Sequence, residues 1–277
     1  MVVAERLPLP HMEVRPVAGI ELLTDDALAS SVGIRAAFTG VAGGQSKAPF
    51  AGLNLGSHVG DDPVDVEGNR RLLLQAAGAP HAQLVVPNQV HGTEVVTVSS
   101  VDPKAVSQAR SNAEQGADAL VVSVPNVAAL LCFADCVHVI LAAPDGSFSV
   151  VHAGWRGAVA GIAGKAVSAL SWASGLPAET FNAYIGPHIH RECFQTGEDV
   201  AERFRQAFGP QCVPDSGQVD LAQAVTVDLR RAGMTPRRIF DVGICTRCNP
   251  ERYYSYRASA GVCGRHGALA VRLEERP

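Results

Sequence analysis

Residues 117–157 read ADALVVSVPNVAALLCFADCVHVILAAPDGSFSVVHAGWRG, and from Ala117 to Ala143 the stretch is the most hydrophobic in the chain. Pro125, Asn126 and Asp135 interrupt it, so the roughly 20 uninterrupted apolar residues of a membrane span are not available. Four short strands fit it instead, over 119–124, 127–132, 137–142 and 147–152, separated by turn residues. They are expected to form the core sheet. The stretch ends in Gly154-Trp155-Arg156-Gly157, directly ahead of a segment with helical spacing over 158–173.

Upstream, 33–39, 84–86 and 94–98 read as strands and 103–115 as a helix or loop. Residues 63–78 form the clearest helix, with Pro63 at the start, Asp65 and Glu67 early, Arg70 and Arg71 later, and Gly78 as the stop. Downstream, 183–185 and 239–242 read as strands and 198–208 and 221–232 as helices. The Gly/Ser/Pro-rich 40–60 segment is either a site loop or a surface excursion. Residues 1–20 are Pro-rich and read as a loose N-terminal arm, unless 14–23 begins an edge strand. With no repeat or linker, residues 21–277 are expected to be one layered α/β or α+β sandwich domain with mixed sheets.

The chain has 277 residues, with 23 Lys+Arg against 27 Asp+Glu and a net charge of −4. That acidic balance, with 5% aromatics, argues against a nucleic-acid binder, which needs a basic face. The opening MVVAERLPLPHMEV carries acids and two prolines where a secretory signal needs a basic region and an apolar run, so a cytoplasmic protein is expected. The seven cysteines are expected to be reduced thiols.

Three segments each set a metal-capable side chain at the end of a strand beside small or turn residues: Gln89-Val90-His91-Gly92, Ala134-Asp135-Cys136 and Val151-His152-Ala153-Gly154. Two imidazoles and a thiolate fill three positions of a tetrahedral zinc and leave the fourth for water or substrate, as a catalytic zinc needs. The same residues also fit a nucleophilic pair in which His91 or His152 activates Cys136, or two structural histidines and a buried thiol. Asp135 either orients a ligand histidine or caps a turn, and His138 reads as core rather than ligand. The Gly154–Gly157 stretch with Arg156 is either an anion cradle or a tight strand-to-helix turn. Cys245-Thr246-Arg247-Cys248 has no second pair after it and reads as two free thiols. Glycosidase carboxylate pairs, a nucleophile elbow, a Walker loop and a dinucleotide fingerprint are absent.

Taken in order, the residues 53–62 (LNLGSHVGDD), Asn69-Arg70, Gln89-Val90-His91-Gly92, Ala134-Asp135-Cys136, residues 151–157 (VHAGWRG), Ile185-Gly186-Pro187 and Tyr254-Ser255-Tyr256-Arg257 resemble the laccase-domain family. This is the YfiH-like group labelled multicopper polyphenol oxidases. The resemblance implies a sandwich fold related to cysteine-hydrolase-like (CNF-type) toxins. It also implies zinc, or possible copper, on His91, Cys136 and His152, which double as catalytic residues. The implied reaction is phosphorolysis of adenosine, inosine, guanosine or methylthioadenosine, with adenosine deamination beside it. The implied partners are a purine nucleoside and phosphate, with no nucleic acid and no membrane, acting on a monomer. Arg156 is the expected phosphate residue and Gln89 a candidate contact to ribose or base. The oxidase label fits poorly, since His188-Ile189-His190 is the one H-x-H pair among nine histidines. Alternative readings are a zinc- or thiol-dependent amide hydrolase acting on a cell-wall precursor, and a metal-binding protein without turnover. The chain departs from the family at Phe133 (usually Thr), at Val137-His138-Val139 (usually Leu/Val-Pro-Val) and at Cys263 (commonly Thr).

Overall fold

A computed structural model describes residues 7–215 and 217–274. In chain order it contains β1 (Glu13–Val17), β2 (Ile20–Thr24), α1 (Asp26–Val32), β3 (Ile34–Thr39), α2 (Pro63–Ala76), β4 (Gln83–Val85), β5 (Val95–Val98) and α3 (Pro103–Glu114). Then come β6 (Ala119–Val122), β7 (Val127–Phe133), β8 (Val137–Ala142), β9 (Phe148–Ala153), α4 (Trp155–Val159) and α5 (Ile162–Ser174). The last third holds β10 (Asn182–Ile185), α6 (Glu198–Phe208), α7 (Leu221–Arg231), β11 (Ile239–Asp241) and β12 (His266–Arg272).

The four apolar strands do not share one sheet, contrary to expectation. One six-stranded sheet runs β1-β2-β3-β12-β7-β4, and the other runs β11-β10-β8-β9-β6-β5. Both are mixed: β4 lies parallel to β7, β5 to β6, and β11 to β10, while the other pairs are antiparallel. Alternation along each strand explains the unbroken apolarity. On β7, Ala129, Leu131 and Phe133 face Ile140, Phe148 and Val150 of the other sheet, while Leu130 and Cys132 face outward toward Leu73 and Leu74 of α2. On the second sheet, Val139, Leu141 and Val151 turn outward to Val167 and Leu170 of α5, Phe204 of α6 and Val225 of α7. The result is a mixed α/β layering of helix, sheet, sheet and helices, with α3 closing one end of the inter-sheet core through Val106, Ala109 and Ala113.

Two further differences concern local chemistry. The expected 158–173 helix is split: Gly161, in the left-handed region at φ 76°, ends the short α4 and begins α5. The expected loose arm is strand from residue 13 onward, since β1 pairs with β2, and ahead of it Leu7 and Met12 are buried. Residues 1–6 of that arm lie outside the described residues. Among the described residues no helix is long and apolar enough to cross a membrane.

Candidate metal centre and its cavity

Of the four connections that cross from one sheet to the other, two carry candidate ligands. The first, between β4 and β5, holds Gln89 and His91; the second, between β7 and β8, is the three-residue corner Ala134-Asp135-Cys136. The third candidate, His152, lies on β9 directly opposite His138 of β8. His91, Cys136 and His152 each place one donor atom within 4.8 Å of the other two, and Cys136 Sγ stands 3.8 Å from His91 Nε2. The sequence pattern named this trio, and the fold brings it together.

The corners are held by carboxylates. At Asp135, where φ is 83°, Oδ1 accepts from Thr246 Oγ1 at 2.6 Å and Oδ2 from the Arg257 backbone N–H at 2.7 Å. Asp135 is therefore a corner brace for Cys136 rather than an orienter of histidine. That second role belongs to Asp118, which sequence reasoning did not single out. Its buried carboxylate accepts from His152 Nδ1 at 2.7 Å and His91 N at 3.0 Å through Oδ1, and from Gly92 N at 2.6 Å and Val90 N at 3.3 Å through Oδ2. One group thus fixes the loop that carries His91, itself at a left-handed φ of 59°, and the His152 tautomer that leaves Nε2 free. Burial opposes ionisation of Asp118, but these hydrogen bonds, led by His152, hold its pKa below the usual value.

Electrostatics within the trio favour a Cys136 thiolate beside a protonated His152, whose Nε2 proton a metal must displace. Burial alone raises a thiol, yet His152 and then His91 beside Cys136 bring its pKa down to about 6. Burial likewise works against protonated His152, but Asp118 and Cys136 raise its pKa to about 9. A thiolate and two imidazoles suit a borderline-soft cation, and three protein donors leave a coordination position open. Gly154 completes the fit, because a Cβ there overlaps His91 Cδ2, so only glycine admits the ring beside His152.

The trio borders a cavity of about 780 Å³, within the range of small-molecule sites. Arg70, Arg257 and Arg265 line it against the acids Glu114 and the already engaged Asp135. The loop 40–60 contributes Gly56-Ser57-His58 to the wall, secured by Arg70 donating to Leu55 O and by Asn54 Oδ1 accepting from Gly56 N and Arg265 N. At His58, partial desolvation and then the charges of Arg265 and Arg70 lower the imidazole pKa, a sign that both cations face this wall.

Arg156 is placed differently from the expected phosphate residue. It is exposed, its guanidinium stacks 4.2 Å over the Trp155 ring, and Trp155 rather than Arg156 lines the cavity. Successive helical residues point about 100° apart, so when the first residue of α4 faces in, the next faces out. Gln89 lines the cavity, with Oε1 accepting from Cys132 N at 2.7 Å and Nε2 lying 3.4 Å from His138 Nε2. His138 Nδ1 is in turn 3.3 Å from Cys136 O. With Gln89 donating to Nε2 and Nδ1 donating to the carbonyl, His138 is a neutral packing residue whose pKa burial pushes well down. Phe133 is sandwiched between His138 at 3.8 Å and His266 at 4.1 Å between ring centroids. The two departures at 133 and 138 are thus one packed unit. Buried Cys263 is held by Arg265 Nη1, which donates to its carbonyl at 2.8 Å.

A family model described as multi-copper polyphenol oxidoreductase laccase matches residues 35–273. Purine nucleoside phosphorylase YlmD of Geobacillus stearothermophilus is 35% identical over 241 residues, which cover 84% of this chain and 88% of the relative. A purine nucleoside phosphorylase of Xylella fastidiosa (strain Temecula1) is 38% identical over 240 residues, covering 82% and 87%. The crystal structure of YlmD from Geobacillus stearothermophilus superposes with a TM-score of 0.81 at 31% identity, over 96% of this chain and 99% of that one. The Bacillus licheniformis hypothetical protein YfiH superposes with a TM-score of 0.82 at 27% identity, over 94% and 99%. With the matched span, the identities of the relatives and the superposed folds in agreement, this chain belongs to the multi-copper polyphenol oxidoreductase laccase family, the YfiH-like group.

Proposed function

We propose that this chain is a zinc-dependent purine nucleoside phosphorylase with a companion adenosine deaminase activity. The observation that carries the reading is the opening of the His91, Cys136 and His152 trio onto a cavity that Arg70 and Arg265 also line. The names of the relatives at 35% and 38% identity support it.

Phosphorolysis needs a phosphate oxygen, the glycosidic carbon and the leaving purine in line, so the protein must hold an anion and a flat base at the same time. Arg70 and Arg265 supply the fixed positive wall for phosphate, with Arg257 at the rim. Trp155, Phe194 and Tyr256 supply apolar faces for the base. His91, Cys136 and His152 would hold zinc, which when bound supplies a Lewis acid for negative charge that develops during the reaction. Asp118 keeps the His152 proton on Nδ1 throughout.

A second reading has its own observation. Cys136, His152 and Asp118 stand in the order nucleophile, base and orienting carboxylate, as a thiol-dependent amide hydrolase requires. The deciding experiment is chromatography of adenosine incubated with metal-analysed protein, with and without phosphate. Phosphate-dependent adenine is the expected product. Phosphate-independent inosine makes deamination the main activity, and no turnover in either mixture overturns the phosphorylase reading in favour of the hydrolase.

A further inference from the structure

Cys193, Cys245 and Cys248 lie outside the cavity lining and share no donor with the first trio. The fold assembles them by pairing two distant segments. His188 and Cys245 form an isolated parallel bridge, with His188 N donating to Ile244 O at 3.1 Å and Thr246 N to His188 O at 3.0 Å. The Cys-x-x-Cys turn therefore sits against the short helical turn that ends at Cys193. All three Sγ atoms lie within 4.8 Å of one another, and Cys193 Sγ and Cys248 Sγ are 3.4 Å apart.

We propose that these three cysteines are a second metal site, built for a thiophilic cation of the zinc class. Zinc–sulfur bonds of about 2.3 Å in a tetrahedron put neighbouring sulfurs about 3.8 Å apart, so the sulfurs need move only slightly to close on an ion. Two donors already point at them: the His190 backbone N–H lies 3.4 Å from Cys245 Sγ, and Arg247 Nη1 lies 3.5 Å from Cys193 Sγ. Such contacts favour thiolate over thiol. Cys193 and Cys245 are buried while Cys248 is exposed, which gives the ion a path in and a solvent-facing fourth position. A Cys193–Cys248 disulfide uses two of the three sulfurs and leaves Cys245 with its aimed donor unexplained; a metal uses all three. The site would fasten segment 188–194 to segment 244–249, from which Thr246 grips Asp135 beside Cys136. It is a structural staple behind the first centre.

The test is zinc stoichiometry of the full chain, stripped with chelator, reduced with a phosphine and reloaded by equilibrium dialysis. Wild type is expected to take up two equivalents, Cys136→Ala one, and the double variant Cys245→Ser/Cys248→Ser one. Cobalt loaded into Cys136→Ala, which lacks the thiolate of the first site, is expected to show intense sulfur-to-cobalt charge-transfer absorption. Cys248→Ser alone, at an exposed position, covers the case in which the double variant does not fold, and is expected to weaken that absorption. One equivalent in wild type, two in a folded double variant, or no charge-transfer band in Cys136→Ala overturns the proposal. So does a Cys193–Cys248 disulfide that forms as readily with excess zinc as without it.

Discussion

Replacing Asp118 by Asn keeps the side-chain shape and changes only what its two terminal atoms can accept. In the native site Oδ1 takes hydrogen bonds from His152 Nδ1 and His91 N, and Oδ2 takes them from Gly92 N and Val90 N. Asparagine has one accepting oxygen. With that oxygen on the histidine side, its NH2 group faces the two backbone donors of the 90–92 loop, and each buried donor left unpaired costs about 1–3 kcal/mol. With the oxygen on the loop side, the NH2 group faces His152 Nδ1, which must then accept. The ring proton moves to Nε2 and occupies the lone pair a metal needs. Either arrangement spoils one ligand. Loss of an outer partner of this kind lowers metal affinity about 10–100-fold, equivalent to about 1.4–2.7 kcal/mol. The assay is competition for zinc against a chromogenic chelator, with a urea melt of the metal-free variant to separate stability from ligand placement. Wild-type zinc affinity in a folded Asp118→Asn chain refutes the reasoning.

Gly154→Ala keeps an ordinary backbone conformation, so its effect is confined to the His91 ring that its Cβ displaces; zinc retention on dialysis should fall while the metal-free melting temperature holds. Arg265→Ala should raise the phosphate KM about 10–100-fold through loss of a charge-assisted contact worth about 1.5–3 kcal/mol. Arg156→Ala should leave that KM unchanged, and the opposite order in steady-state kinetics would restore Arg156 as the phosphate residue. His266 is fully buried with both ring nitrogens unpaired, and burial, then Arg265, lower its pKa to about 3. The unfolded chain therefore binds this proton first. The stability from neutral His266 is complete above about pH 6.5 and is lost toward pH 3, at about 1.4 kcal/mol per pH unit. Urea melts between pH 7 and pH 5 should show a shallower decline in His266→Phe; equal slopes would count against a buried neutral imidazole.

The trio was legible because each of its residues sits in a short motif beside small or turn residues, and the ordered set of motifs specifies the fold that unites them. Asp118 left only one trace, a lone acid at the head of an apolar strand, which physics allows only when donors surround it. The division of the four strands between two sheets left none: a strand apolar on both faces does not say which neighbour it pairs with, and Asp135 reads as a hairpin turn although it is a crossing. The exposure of Arg156 left no trace either, because the sequence does not show which of two adjacent residues, about 100° apart on a helix, faces the cavity. Cys193 was invisible as a partner of the Cys245–Cys248 pair, since only the His188–Cys245 bridge brings the 188–194 segment alongside.

The position of β12 bears on how the molecule is made. This strand follows every other strand of its sheet in sequence, yet it lies in the interior of that sheet, between β3 and β7. While a ribosome is still short of residue 266, β3 and β7 carry unpaired backbone edges, and Ala36, Leu130 and Phe38 lack their cover. The second sheet, complete once β11 emerges, is free to settle first, whereas the first waits for the closing strand. Chaperone occupancy on stalled nascent chains should accordingly persist until that strand clears the exit tunnel.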